Sequence, residues 1–193
     1  MIDQFIADLK SIPKEEYRKF FIHAKKVAMA YPLNWGIDCF ARGETVEWAF
    51  IKKFSQFIDI EAVVKNHMTD PDGLYKKSYL FDLKLSKESL LPQKTNPNLV
   101  YSHVWDFKKT QTGVDEFVTK SQFYLLLDAY TYRAAVLDAE VIKSKDMGKN
   151  SARITFPVKT KDITMVYDGI NDVEEVNVES KSDDLKEMIW ESV

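Results

Sequence analysis

Residues 98–110 read NLVYSHVWDFKKT. Leu99, Val100, Tyr101, Val104 and Trp105 stand among few polar residues, the pattern of a mostly buried strand. Asp106 and Lys108 close the run, and residues two apart on a strand project from one face. A carboxylate and an ammonium are therefore expected side by side. Upstream, 78–86 (SYLFDLKLS) is a second strand-like run, and it carries Asp82. Downstream, Gln122 falls near the start of 114–130, which reads as a buried helix because 123–127 is apolar nearly all round.

The rest of the chain fits around these runs. Residues 2–11 predict a short helix, and Pro13 suits the first turn of a second over 14–30. In the second, Tyr17, Phe20, Phe21, Ala24, Val27 and Ala28 recur at threes and fours. Its other face carries Lys14, Arg18, Lys19, His23, Lys25 and Lys26, a solvated surface or a contact for a polyanion. Residues 33–42 read as a loop, and 43–57 as a third helix with the stripe Val46, Phe50, Phe54 and Phe57. Glu47 borders that stripe, a costly place for a carboxylate without a partner. Then follow a strand-like 58–67, the turn 69–73 (TDPDG), a strand over 134–143, a turn at 147–151, and a hairpin of 153–158 with 163–167.

Composition bounds the function. The chain has 193 residues, enough for one domain with a sizeable core, and its 45% hydrophobic content is that of a globular protein. No apolar run approaches the roughly 20 residues of a membrane span, and MIDQFIADLK lacks the pattern of a secretory signal. Cys39 is the sole cysteine, which excludes an internal disulfide framework and a thiolate zinc cluster and makes a reducing cytoplasm the expected location. The net charge of −3 argues against coating nucleic acid by bulk electrostatics. That charge is uneven, because the tail from Asp172 carries −6 and residues 1–171 carry +3. His23, His67 and His103 are scattered, Gly148-Lys149 lacks a phosphate-loop frame, and no nucleophile elbow occurs.

Asp-x-Lys recurs by chance in this chain, but only the copies at Asp82 and Asp106 lie on apolar strand-like runs. The order helix, strand, strand with Asp, strand with Asp-x-Lys, helix with Gln, strand resembles the PD-(D/E)XK nuclease superfamily, in its RecB-type and lambda-exonuclease-like branch. The likeness is carried by Gly43-Glu-Thr-Val-Glu47, Phe81-Asp82-Leu83, Trp105-Asp106-Phe107-Lys108 and Ser121-Gln122-Phe123-Tyr124, and spans about residues 43–143. A competing register uses Pro71-Asp72 with Asp82-Leu83-Lys84, ten residues on, and leaves 98–108 as an extra strand. The first register is preferred because it needs no extra strand.

The resemblance implies an α/β fold with a restriction-endonuclease-like mixed central sheet flanked by helices. It is divided here as an N-terminal helical arm (1–42), a nuclease-like core (43–170) and an acidic C-terminal tail (171–193). It further implies a Mg²⁺-dependent DNA nuclease, exo- or endonucleolytic, with Mn²⁺ an alternative metal. Glu47, Asp82 and Asp106 would ligate the metal, Lys108 would orient the water or stabilise the phosphate, and Gln122 would position the lysine or the DNA backbone. DNA would meet Lys14, Arg18, Lys19, Lys25 and Lys26; homo-oligomerisation is left open. The alternative class is a non-catalytic interaction or nucleic-acid-binding protein on the same or another α/β fold.

Overall fold

The computed structural model describes residues 1–31, 37–65, 70–86, 90, 96–98, 107–108, 121–143, 153–154 and 159–172. Three helices come first: α1 (Ile2–Ser11), α2 (Lys14–Ala30) and α3 (Ile37–Phe54). A six-stranded mixed sheet follows, built from β1 (Ile60–Ala62), β2 (Gly73–Tyr75), β3 (Tyr79–Ser86), β5 (Phe123–Asp128), β6 (Arg133–Asp138) and β8 (Ile163–Asp168) in that spatial order. β1, β2 and β3 form an antiparallel meander, β5 runs parallel to β3, and β6 and β8 complete the sheet antiparallel. β4 (Phe107–Lys108) and β7 (Arg153–Ile154) pair with each other in a separate ladder. The short α4 (Ala139–Lys143) follows β6 directly.

The alternation of β3 and β5 separates two apolar layers. Phe81, Leu83, Phe123, Leu125 and Leu127 join Phe5, Leu9, Tyr17, Phe20, Phe21, Val46, Phe50 and Phe54 in the main core, beneath the three helices. On the opposite face Tyr124 and Leu126 pack with Leu90, Ala135, Leu137, Ala139 and Ile142. Phe5 of α1 is seated on three rings, with centroids 4.8 Å from Tyr75, 5.6 Å from Phe81 and 4.5 Å from Phe123. Helices α1 and α2, within the segment set apart as an arm, thus contribute to the same core as the sheet. Gly73 is required where it stands, because a Cβ there would run into the Phe81 ring.

Several expected elements are corrected. Residues 123–128 form a strand, not a helix, and every one of them is buried. A short run covered on both faces shows the same unbroken apolar character in either conformation. α3 begins at Ile37, inside the expected loop, and the expected strand 134–143 ends at Asp138, where α4 begins. Gly73, placed in a turn, opens β2. Among the described residues the expected hairpin is replaced by other pairings: β7 pairs with β4, and β8 with β6. Most of the 98–110 strand, the 147–151 turn and residues 173–193 of the tail lie outside the described residues.

Candidate functional site

Acid and base groups from four segments meet at the β2–β3 end of the sheet. Asp82 and Lys84 sit two apart on β3, so they share a face. The Lys84 ammonium bonds Asp82 Oδ1 at 2.6 Å and stands 5.9 Å from the centre of the Tyr124 ring across the parallel ladder. Asp72 immediately precedes β2. Its Oδ2 accepts the Leu83 N–H at 2.6 Å, which extends the ladder beyond the end of β2 and pins the carboxylate beside Asp82. Glu47 arrives from α3. Lys65, in the segment after β1, donates to Glu47 Oε2 at 2.9 Å and pairs with Asp72 Oδ1.

Desolvation sets the protonation states. Glu47 and Asp82 each keep 20% of their side-chain area exposed and Asp72 only 4%, so the cluster is in partial contact with solvent. Burial, and then the neighbouring Asp72 charge, push Glu47 up to about 7, against the pull of Lys65. Burial also holds Asp82 well above the ordinary carboxylate range; Lys84 opposes this and Asp72 adds to it. Asp72 and Asp82 interact strongly enough that the pair titrates as a unit. Asp72 is lowered: burial works against its charge, but Asp82, Lys84 and Lys65 outweigh burial. Both lysines are raised: desolvation pulls each down, and the facing carboxylates overcome it.

The donor chemistry suits a hard divalent cation. Carboxylate oxygens are the ligands Mg²⁺ takes, and crowded acids held protonated by burial and by each other gain from a cation that displaces their protons. Spacing tells against a ready-made cage. Among the described residues no group of three or more His, Cys, Asp or Glu side chains is spaced to hold a metal ion. Lys65 occupies the ground between Glu47 and Asp72.

Of the residues expected at a site, the structure brings Glu47 and Asp82 together. Asp106 lies outside the described residues, and Lys108 is described as backbone of β4, paired with Arg153. The hydrogen-bonded neighbours of the Asp82 strand are β2 and β5, not β4. Gln122 stands just before β5 rather than on a helix. Its side-chain oxygen accepts the Leu80 N–H at 2.6 Å and its own N–H donates to the Leu80 carbonyl at 2.8 Å, so it clips β3 to β5. On α2, Arg18 pairs with Glu15 at 3.7 Å and Lys19 with Glu16 at 3.0 Å. Lys25 lies 5.6 Å from the centre of the Tyr132 ring, and Lys14 is exposed. The basic face is thus partly answered by acids of its own helix. Asp72 and Lys84 belonged to the competing register, signalled by the ten-residue spacing from Pro71-Asp72 to Asp82-Leu83-Lys84. Lys65 carried no signal: it is one lysine after a short strand.

No protein-family model, curated protein or solved structure matches the chain. No helix among the described residues is long and apolar enough to cross a membrane.

Proposed function

We propose that the protein is a Mg²⁺-dependent DNA nuclease of the PD-(D/E)XK type, with its site in the register Glu47, Asp72, Asp82 and Lys84. The observation that carries this reading is the meeting of Asp72, ahead of β2, with Asp82 and Lys84 on one face of β3, opposite Glu47 of a preceding helix. The order α3, β1, β2, β3, with β5 parallel beside β3, supports a restriction-endonuclease-like core. Glu47, Asp72 and Asp82 would have to draw closer together to hold the metal, which when bound would supply charge neutralisation at the phosphate and a more acidic water. Lys84, kept charged by Asp82 and Asp72, orients the attacked phosphate or the water. The face of Lys14, Arg18, Lys19, Lys25 and Lys26 offers contacts to the DNA backbone.

A second reading has its own support: Lys65 and Lys84 already answer the carboxylates, as in a purely structural ion-pair network of an interaction protein. Incubation with linear and circular DNA, single- and double-stranded, in Mg²⁺, Mn²⁺ or chelator separates the two. The nuclease cuts in metal only, and Asp82→Asn and Lys84→Ala abolish cutting while Lys108→Ala does not. Intact DNA under every condition favours the interaction protein. Loss of cutting in Lys108→Ala with retention in Lys84→Ala returns the site to the Asp106 register.

A further inference from the structure

An aromatic ring closes the β5 side of the Asp82–Lys84 pair. β3 and β5 run parallel, with Asp82 beside Tyr124 and Lys84 beside Leu126, so these four side chains share one face. Tyr124 is 2% exposed and packs with Leu126, Leu137 and Ile142 in the second apolar layer, so its ring is held by its surroundings. Lys84 is not held in the same way. Its flexible four-carbon stem is free to carry the ammonium outward to water. Instead the ammonium turns back along β3 to Asp82 Oδ1, at 2.6 Å, and lies 5.9 Å from the centre of the Tyr124 ring. A ring at that distance attracts a cation through its quadrupole, and most strongly where water is kept away. The Lys84 side chain keeps only 23% of its area exposed.

We infer that Tyr124 is a positioning residue for Lys84, its ring walling the β5 side of the ammonium and holding it over Asp82. The inference rests on the reading of Lys84 as the group that meets the phosphate or the water. Asp72 flanks Asp82 from the β2 side, its Oδ2 on the Leu83 N–H. Two carboxylates by themselves leave an ammonium free to shift, because Coulomb attraction has no preferred direction. A ring adds direction without adding charge. An ammonium has three donors; Asp82 takes one, and the wall turns the others away from β5. The choice of side chain fits this role: Leu125, Leu126 and Leu127 fill the middle of β5, and the aromatic stands at the position paired with Asp82.

The test compares the wild type with Tyr124→Leu, Tyr124→Phe and Ile142→Ala. Ile142 lies in the same layer but on α4, so its truncation loosens the packing and leaves the ring in place. One readout is kcat and KM for cleavage of linear DNA in Mg²⁺. The other is acetylation of Lys84 by acetic anhydride in chelator, followed by mass spectrometry, which needs no activity. Tyr124→Leu is expected to lower kcat about tenfold with KM within about twofold, the mark of a group that acts through another on the reacting atoms. Acetylation of Lys84 rises severalfold in the same variant. Tyr124→Phe, which keeps the ring, restores both readouts, and Ile142→Ala leaves both unmoved. Equal acetylation in Tyr124→Leu and the wild type overturns the inference, whether or not the protein cuts DNA. So does Tyr124→Phe falling as far as Tyr124→Leu, or Ile142→Ala matching it. A wild type that leaves DNA intact overturns the nuclease reading, and acetylation then decides whether the ring holds the ammonium. Should Tyr124→Leu fail to fold, Tyr124→Met, whose flexible side chain fills the gap, takes its place.

Discussion

The Asp72 carboxylate accepts the Leu83 backbone N–H at 2.6 Å, within a residue of both Asp82 and Lys84. One side chain thus completes a sheet edge and supplies charge to the cluster. The two duties separate by substitution. Asp72→Ala leaves a buried donor without an acceptor and is expected to cost about 1–3 kcal/mol. Asp72→Asn keeps an acceptor and should cost less, while both remove the charge and abolish metal-dependent cutting. Denaturant unfolding beside a DNA-cleavage assay checks this; an Asn variant as unstable as the Ala variant would refute the hydrogen-bond role.

The turn between β2 and β3 offers a gain in stability. Lys76 and Lys77 have φ of 49° and 54° at the centre of the Tyr75–Ser78 turn, in the left-handed region that side chains resist. Lys76 is held by an ion pair to Asp8 at 3.4 Å and lies over the Tyr75 ring. Lys77→Gly should therefore stabilise the protein by about 1 kcal/mol, and Lys77→Val should destabilise it. Thermal melts of the two variants must move in opposite directions.

His23 gives a pH dependence whose sign is fixed. Its Nε2 is buried without a hydrogen-bond partner among the described residues, and desolvation, followed by the Lys26 charge, lowers it from 6.5. The unfolded chain therefore binds the proton more readily. Stability from this group is complete above pH 6.5 and is lost as pH falls from there through the lower folded value. The slope is at most about 1.4 kcal/mol per pH unit. His23→Leu should remove that component from a series of unfolding curves between pH 7 and 5; identical pH profiles for the two proteins would contradict it.

Phe5 tests whether α1 is an arm or part of the core. It is fully buried against Tyr75, Phe81 and Phe123. Phe5→Ala is expected to cost about 3–5 kcal/mol, as for other buried aromatics cut back to a methyl. Equilibrium unfolding measures it, and a cost below about 1 kcal/mol would mean the helix is only lightly attached.

The sequence made the helices and β3 readable because each has one buried face, and a one-sided pattern has a period. Tyr17, Phe20, Phe21 and Ala24 could scarcely be read otherwise. β5 lacked a period because both its faces are covered, and so Phe123–Asp128 was taken for a helix. At the candidate site, Glu47 and Asp82 were legible as acids on apolar elements. Asp72 was masked by the turn-like composition of TDPDG, although its spacing to Asp82 was visible. The choice between registers depended on which strand lies beside β3, and pairing between distant segments leaves no local mark. Lys65 shows this most plainly: it meets Glu47, far from it in sequence, only because β1 returns along α3.

The seating of Phe5 also orders events during synthesis. α1 leaves the ribosome long before β5, yet its central ring rests against Phe123. The helix can reach its full native seat only after the strand that closes its pocket has been made. In the interval Phe5 lacks Phe123, one of its three ring neighbours, and stays partly uncovered.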